Sequence, residues 1–317
     1  MARKYVSLLL AACSMLLVAS CMGGGKKNPT STGQPYEVVL EGDTDSIVTQ
    51  VLAENVPCLP QPEPMFNLIQ VRKNKSGQLY QMVRNRVVVD VNSHNPGYSV
   101  KVSKDVVASP QLVIRIKAQS VEQLKTRLNG EQLRNLIDEH ELKHLAAVIK
   151  PNAEKQKLVK ELFGIDMKVP LDMESSKQGK DFLWLSNNAN SGMQSLIFLK
   201  VKSEERRVKE VKSEERRVKN SLVASSYTAV QSQVDALLRK NMVGETDSMY
   251  MVIPQLSARG LWEMRGDAMG GPYVMRRISD KKRKCDLVVI GFVYAPEMKK
   301  RNLIKQLEAV LTTINIY

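Results

Sequence analysis

Fifteen uncharged, mostly apolar residues (5–19, YVSLLLAACSMLLVA) follow Arg3-Lys4 and stop just short of Cys21. This run constrains the rest of the chain. It is too short for a comfortable permanent span, which needs about 20 residues. It has the form of a secretory h-region behind a positive n-region. Residues 1–20 therefore read as a removable leader, and the fold must be built from residues 21–317.

Val18-Ala19-Ser20-Cys21 resembles the bacterial lipobox, in which small residues precede a cysteine. Diacylglycerol is attached through sulfur, so Cys21 is the expected lipidation site, with buried methylenes holding the chain to a membrane at about 0.8 kcal/mol each. Residues 21–35 read as the lipidated cysteine and a flexible Gly/Ser/Thr/Pro tether. The tether is basic, and no acidic run follows Cys21. The expectation is an outer-membrane lipoprotein facing the periplasm.

The 317 residues carry 47 Lys and Arg against 33 Asp and Glu, a net charge of +14. Cleavage before Cys21 removes two bases and no acid, so the mature chain stays basic. A basic excess elsewhere suggests nucleic acid, but an exported chain meets little of it. The expected partners are the membrane, through the lipid, and an envelope protein or glycan; no nucleic acid is expected. Hydrophobic residues make up 43%, which excludes a disordered chain, and 25% are charged, which excludes a multispanning one. Aromatics are only 5%, so Val, Leu, Ile and Met must fill the core. After Cys13 and Cys21, two cysteines remain, Cys58 and Cys285; a disulfide is permitted in this compartment but two distant cysteines do not establish one.

Hydrophobic periodicity mixes strands and helices. Strands are expected at 36–40, 66–71, 86–91, 111–116, 181–186, 195–199, 249–253 and 287–294. Helices are expected at 43–54, at 120–150 split by Asn129-Gly130, from Pro151 to about 163, at 227–240 and at 296–312. Residues 56–65 hold four prolines and read as a rigid extended loop. Strict βαβ alternation is missing, so the expected class is α+β, with mixed or antiparallel sheets and packed helices. Both halves, 36–165 and 166–317, end in a β-branched strand, an alanine (Ala118, Ala295) and a helix, which suggests two similar halves. VKSEERRVK occurs twice, at 201–209 and 211–219. With no large hydrophobe it reads as a charged, solvated insertion at 201–220.

One pattern carries chemistry. His140-Glu141-Leu142-Lys143-His144 matches H-E-x-x-H, where histidines at i and i+4 share a helix face and grip Zn²⁺ while the glutamate takes a proton from bound water. A third ligand is not evident, the H-x-x-G-x-x-H extension is absent, and Lys143 places a positive charge beside the cation. The preferred reading is two partly buried, hydrogen-bonded histidines. Zinc hydrolysis with His140 and His144 as ligands is the alternative. No catalytic residue and no cofactor is assigned in the preferred reading.

Val56 to Phe66 (VPCLPQPEPMF), Gly179 to Asn187 (GKDFLWLSN), Arg259 to Tyr273 (RGLWEMRGDAMGGPY) and Gly291 to Glu297 with Arg301 to Ile304 together resemble an uncharacterised family of Bacteroidota lipoproteins. The resemblance implies an envelope lipoprotein with a domain of unknown function. It brings no catalytic residues, and its pattern lacks both H-E-x-x-H and the 201–220 repeat. Binding candidates are the loop 57–64 and the segment with Trp262, Asp267 and Tyr273, whose aromatics look exposed. The expected function is a non-enzymatic binding or structural module of the envelope.

Overall fold

The computed structural model describes residues 28–73, 77–202, 230–246 and 248–316. Cys21 and residues 203–220 of the repeat lie outside these. The class is α+β.

The first half is built on a five-stranded sheet in the order β2-β1-β3-β5-β4. Its strands are β1 (Glu37–Glu41), β2 (Asn67–Val71), β3 (Asn85–Val91), β4 (Ser99–Lys104) and β5 (Leu112–Ala118). The first four in spatial order run parallel, and β4 closes the edge antiparallel. Val38, Leu40, Val87, Val89, Ile114 and Ile116 point to one face and are buried there. They meet Val48 and Leu52 of α1 (Ile47–Leu52), Leu124 of α3 (Val121–Arg127) and Leu133, Ile137 and Leu145 of α4 (Gly130–Val148). A single-turn helix α2 (Gln78–Gln81) precedes β3.

Caps explain where these helices start. Ser120, Asn129 and Asn152 accept the N–H groups of Gln123, Gln132 and Lys155 at the heads of α3, α4 and α5 (Ala153–Phe163). Pro151 therefore stands outside its helix, ahead of the cap rather than in the first turn. Asp43 caps α1 from a distance, accepting from the Val48 and Thr49 N–H groups at 3.1 and 2.7 Å. Gly164 stops α5 in the left-handed region at φ +67°.

The second half carries a seven-stranded, wholly antiparallel sheet in the order β10-β11-β12-β13-β9-β8-β7. The strands are β7 (Ser175–Gly179), β8 (Phe182–Ser186), β9 (Met193–Lys202), β10 (Tyr250–Val252), β11 (Arg259–Arg265), β12 (Gly270–Asp280) and β13 (Cys285–Tyr294). Two-residue strands β6 (Ile165–Asp166) and β14 (Asn315–Ile316) pair separately. Nine of the ten β13 residues are buried, as its unbroken apolar run requires when both faces are covered. On one face Leu287, Val289, Phe198 and Leu185 meet α5 and α7 (Arg301–Thr312). On the other, Val288, Ile290, Phe292 and Ile197 meet Val230, Val234 and Leu238 of α6 (230–241).

The two halves do not share a topology: one sheet is mostly parallel and the other wholly antiparallel. Their matching strand–alanine–helix ends are a local likeness. The last helix also starts later than its apolar spacing suggests, at Arg301 rather than Pro296, because Glu297 turns the chain at φ +60°. Cys58 is exposed, Cys285 is buried, and both are free thiols.

Helix α7 joins the halves. Its Ile304, Leu307, Val310 and Leu311 belong to the second core, while Ala309 belongs to the first, and α4 is its neighbour across the seam.

Candidate functional site

The H-E-x-x-H residues sit on α4, beside this seam. Glu141 is fully buried. Its carboxylate accepts from Arg84 Nε at 2.6 Å and Nη2 at 3.3 Å, from Asn85 Nδ2 at 2.5 Å and from the backbone N–H of Tyr36 at 3.1 Å. Those four donors fill its lone-pair positions. A buried carboxylate held in this way is a strut between β1, the start of β3 and α4, and has no lone pair left to take a proton from a metal-bound water.

His140 belongs to the same cluster. Asn85 turns its amide nitrogen to Glu141, so its Oδ1 faces His140 Nδ1 at 2.9 Å and takes that ring proton. Burial pushes the His140 and His144 pKa values below the ordinary one, against a weaker upward pull from Glu141. Both rings are therefore neutral at pH 7. Among the described residues, no group of three or more His, Cys, Asp or Glu side chains could hold a metal ion.

The polar cluster continues across the seam. Tyr36 lies in the left-handed region at φ 61°, with its N–H on Glu141 and its hydroxyl donating to Asp138 Oδ1 at 2.7 Å. Burial and then Asp138 push its phenol far above the usual range, which keeps the proton on. Asp138 also receives the ammonium of Lys305, which is 1% exposed. Lys305 reaches Glu308 at 3.0 Å, and Glu308 pairs with Arg259 of β11. Hydrogen bonds and ion pairs thus run unbroken from His140 to Arg259.

Three of the segments that carry the sequence resemblance, 56–66, 259–273 and 301–304, meet on this line. In the proline-rich loop, Glu63 accepts the backbone N–H groups of Lys300 and Arg301 at 2.6 and 3.1 Å, capping α7 from 237 positions away. Arg301 donates back to Pro64 O and Asn67 Oδ1. Cys58 Sγ lies 3.8 Å from Arg259 O.

Trp262 and Tyr273 are buried, at 3% and 0% exposure, so neither is the exposed aromatic expected. Gly271 allows this: a Cβ there would sit 2.1 Å from Val293 O. Val293 lies one step past the last β12–β13 pair, opposite Pro272, which has no N–H to offer; the Trp262 indole donates to its carbonyl instead, at 3.1 Å. Tyr273 gives its hydroxyl proton to Gln255 O. Asp267 alone is exposed, in the β11–β12 turn, where its carboxylate accepts the Ala268 N–H. These three residues form no common surface.

Sequence reasoning missed the concave feature on the seam. A groove of about 520 Å³ runs between the end of α4 (Val148, Ile149), the loop after β6 (Leu171, Met173) and α7 (Leu307, Val310). Val148 and Leu171 are 57% and 54% exposed, unusual for large apolar side chains. Its wall is fixed by hydrogen bonds. Asn152 Nδ2 donates to the carbonyls of Leu171 and Met173, the Leu171 N–H donates to Lys150 O, and Lys168 donates to Ala146 O and Ala147 O at the end of α4.

This arrangement defines a two-part α+β protein whose parts are clamped through a polar seam. Residues 152–313, just over half of the chain, match the family described as "Domain of unknown function (DUF4837)", and the chain belongs to it. Residues 31–150 match "Domain of unknown function (DUF8532)". The two ranges meet at 150–152, ahead of the 165/166 division expected from the sequence, and α5 packs with the second core through Val159 and Phe163. No curated protein and no solved structure matches the chain. The groove lies where the two matched ranges join.

Proposed function

We propose that this chain is a lipid-anchored, non-enzymatic binding module of the bacterial envelope, with the seam groove as its binding surface. Anchoring is supported by the h-region and the small residues before Cys21. An outer-membrane position facing the periplasm is supported by the lack of acidic residues after Cys21, and an envelope protein or glycan remains the expected macromolecular partner.

The observation that carries binding over catalysis is Glu141. The residue that hydrolysis would need as a base is a buried counterion to Arg84. A preformed apolar groove at a junction between domains is the usual setting for a ligand. The zinc-hydrolase alternative would require Glu141 to abandon four donors, and no observed contact favours it.

The experiment is mass spectrometry of the mature chain from membranes, beside a Cys21→Ala variant. The expected result is an N-terminal Cys21 carrying acyl chains, and a variant that keeps its leader or leaves the membrane fraction. A mature chain without lipid, cut elsewhere, would overturn the anchoring. Proteolysis of intact against permeabilised cells tests the orientation: protection until the outer membrane is breached is expected.

A further inference from the structure

We infer that the seam groove takes a single-chain amphiphile: an unbranched hydrocarbon tail along its floor and an uncharged or cationic head at its rim. The inference rests on the reading of this groove as the binding surface, and adds the chemistry of the occupant.

The floor sets the tail. Ile149, Met173, Leu307 and Val310 offer only carbon and one thioether, and no charged side chain lies among them. Exposed Val148 and Leu171 extend this surface outward. An occupant covering them recovers apolar area now facing water, at about 25 cal/mol per Å². The volume of about 520 Å³ lies within the roughly 300–1,000 Å³ typical of small-molecule sites, so one chain fits.

The rim sets the head. Asp172 and Glu174 are exposed on one wall, and Lys150 is the single cation of the lining, so the rim carries a net negative charge. None of the three forms an ion pair among the described residues, and Asp172 holds only a 3.4 Å contact from Asn187. Of the two rim amides, Gln194 already donates to Leu303 O and to Gln306 Oε1. A carboxylate or sulfate head would meet two like charges against the single cation Lys150. An ammonium or a neutral polyol head meets no such repulsion. The walls are fixed by the Asn152 and Lys168 hydrogen bonds, so little ordering opposes entry.

The test uses the full mature chain carrying Cys21→Ser, so that no attached lipid competes. N-phenyl-1-naphthylamine reports occupancy. Dodecyltrimethylammonium, dodecyl maltoside and dodecanoate, each below its micellar concentration, compete. Saturable probe binding is expected, with the cationic and neutral amphiphiles displacing it at least fivefold more tightly than dodecanoate. Val148→Glu and Leu171→Glu should each weaken the probe at least tenfold with unchanged unfolding temperature, because both side chains already face solvent. Asp172→Lys with Glu174→Lys should reverse the head preference. Saturable binding lost in Val148→Glu, yet tightest for dodecanoate and indifferent to the rim variants, would overturn the head assignment and leave the groove reading standing. No saturable binding, or binding untouched by both glutamate variants, would overturn the groove reading itself.

Discussion

Lys305 of α7 holds Asp138 of α4 across the seam, its ammonium 2.6 and 2.8 Å from the two carboxylate oxygens and 5.4 Å above the Tyr36 ring. Lys305 is 1% exposed, and Glu308 stands on its other side at 3.0 Å. Lys305→Met would leave Asp138 without its counterion, beside a Glu308 that is still paired with Arg259. Removing one partner of a buried pair costs about 3 kcal/mol or more. Urea unfolding should show this loss, and a change below about 1 kcal/mol would mean the two halves do not depend on the pair.

The cap on α7 gives a second expectation. Lys300, at its N-cap position, supplies no side-chain bond to the helix, and Glu63 supplies two from the proline-rich loop. Glu63→Ala removes both acceptors and the negative charge at the positive end of the helix, at a cost of about 1–2 kcal/mol. Amide exchange should quicken in the first turn of α7, and protection equal to that of the unaltered chain would refute the role.

Acid should weaken the fold through α4. Burial holds the His140 and His144 pKa values below the ordinary 6.5, so the unfolded chain binds protons that the folded chain refuses. Their contribution is complete above the ordinary value and is lost as pH falls toward and through the folded values. The unfolding temperature should drop as pH falls through the ordinary histidine value of 6.5 and below, and His140→Gln should flatten part of that slope. An identical slope in the variant would show that His140 titrates alike in both states.

Local signals in the sequence marked most of the first half. Ser120, Asn129 and Gly164 show where helices begin and end, and the valine run at 86–91 is the buried strand it resembles. The missed strands have physical reasons. In β4, Val100 and Val102 face solvent on an edge, and β7 is almost wholly polar. In β11 and β12, Gly260, Gly270, Gly271 and Pro272 imitate a loop, yet the missing side chains of Gly260 and Gly271 let Tyr273 and the Val293 carbonyl approach. Nothing local signals that Glu63 caps a helix 237 residues later, or that Val148, Leu171 and Leu307 line one groove. H-E-x-x-H was legible as a helix face, but the donors that occupy Glu141 come from Tyr36, Arg84 and Asn85, at least 56 positions away.

Glu141 is where binding and catalysis part most cleanly. The measurement is urea unfolding of Glu141→Gln against the unaltered chain, each with and without one equivalent of Zn²⁺. Loss of the buried charge opposite Arg84 should cost about 3 kcal/mol, with no effect of zinc on either protein. A variant as stable as the unaltered chain, with zinc stabilising both and that effect abolished by His140→Ala with His144→Ala, would contradict the structural role of Glu141 and restore a metal site on α4.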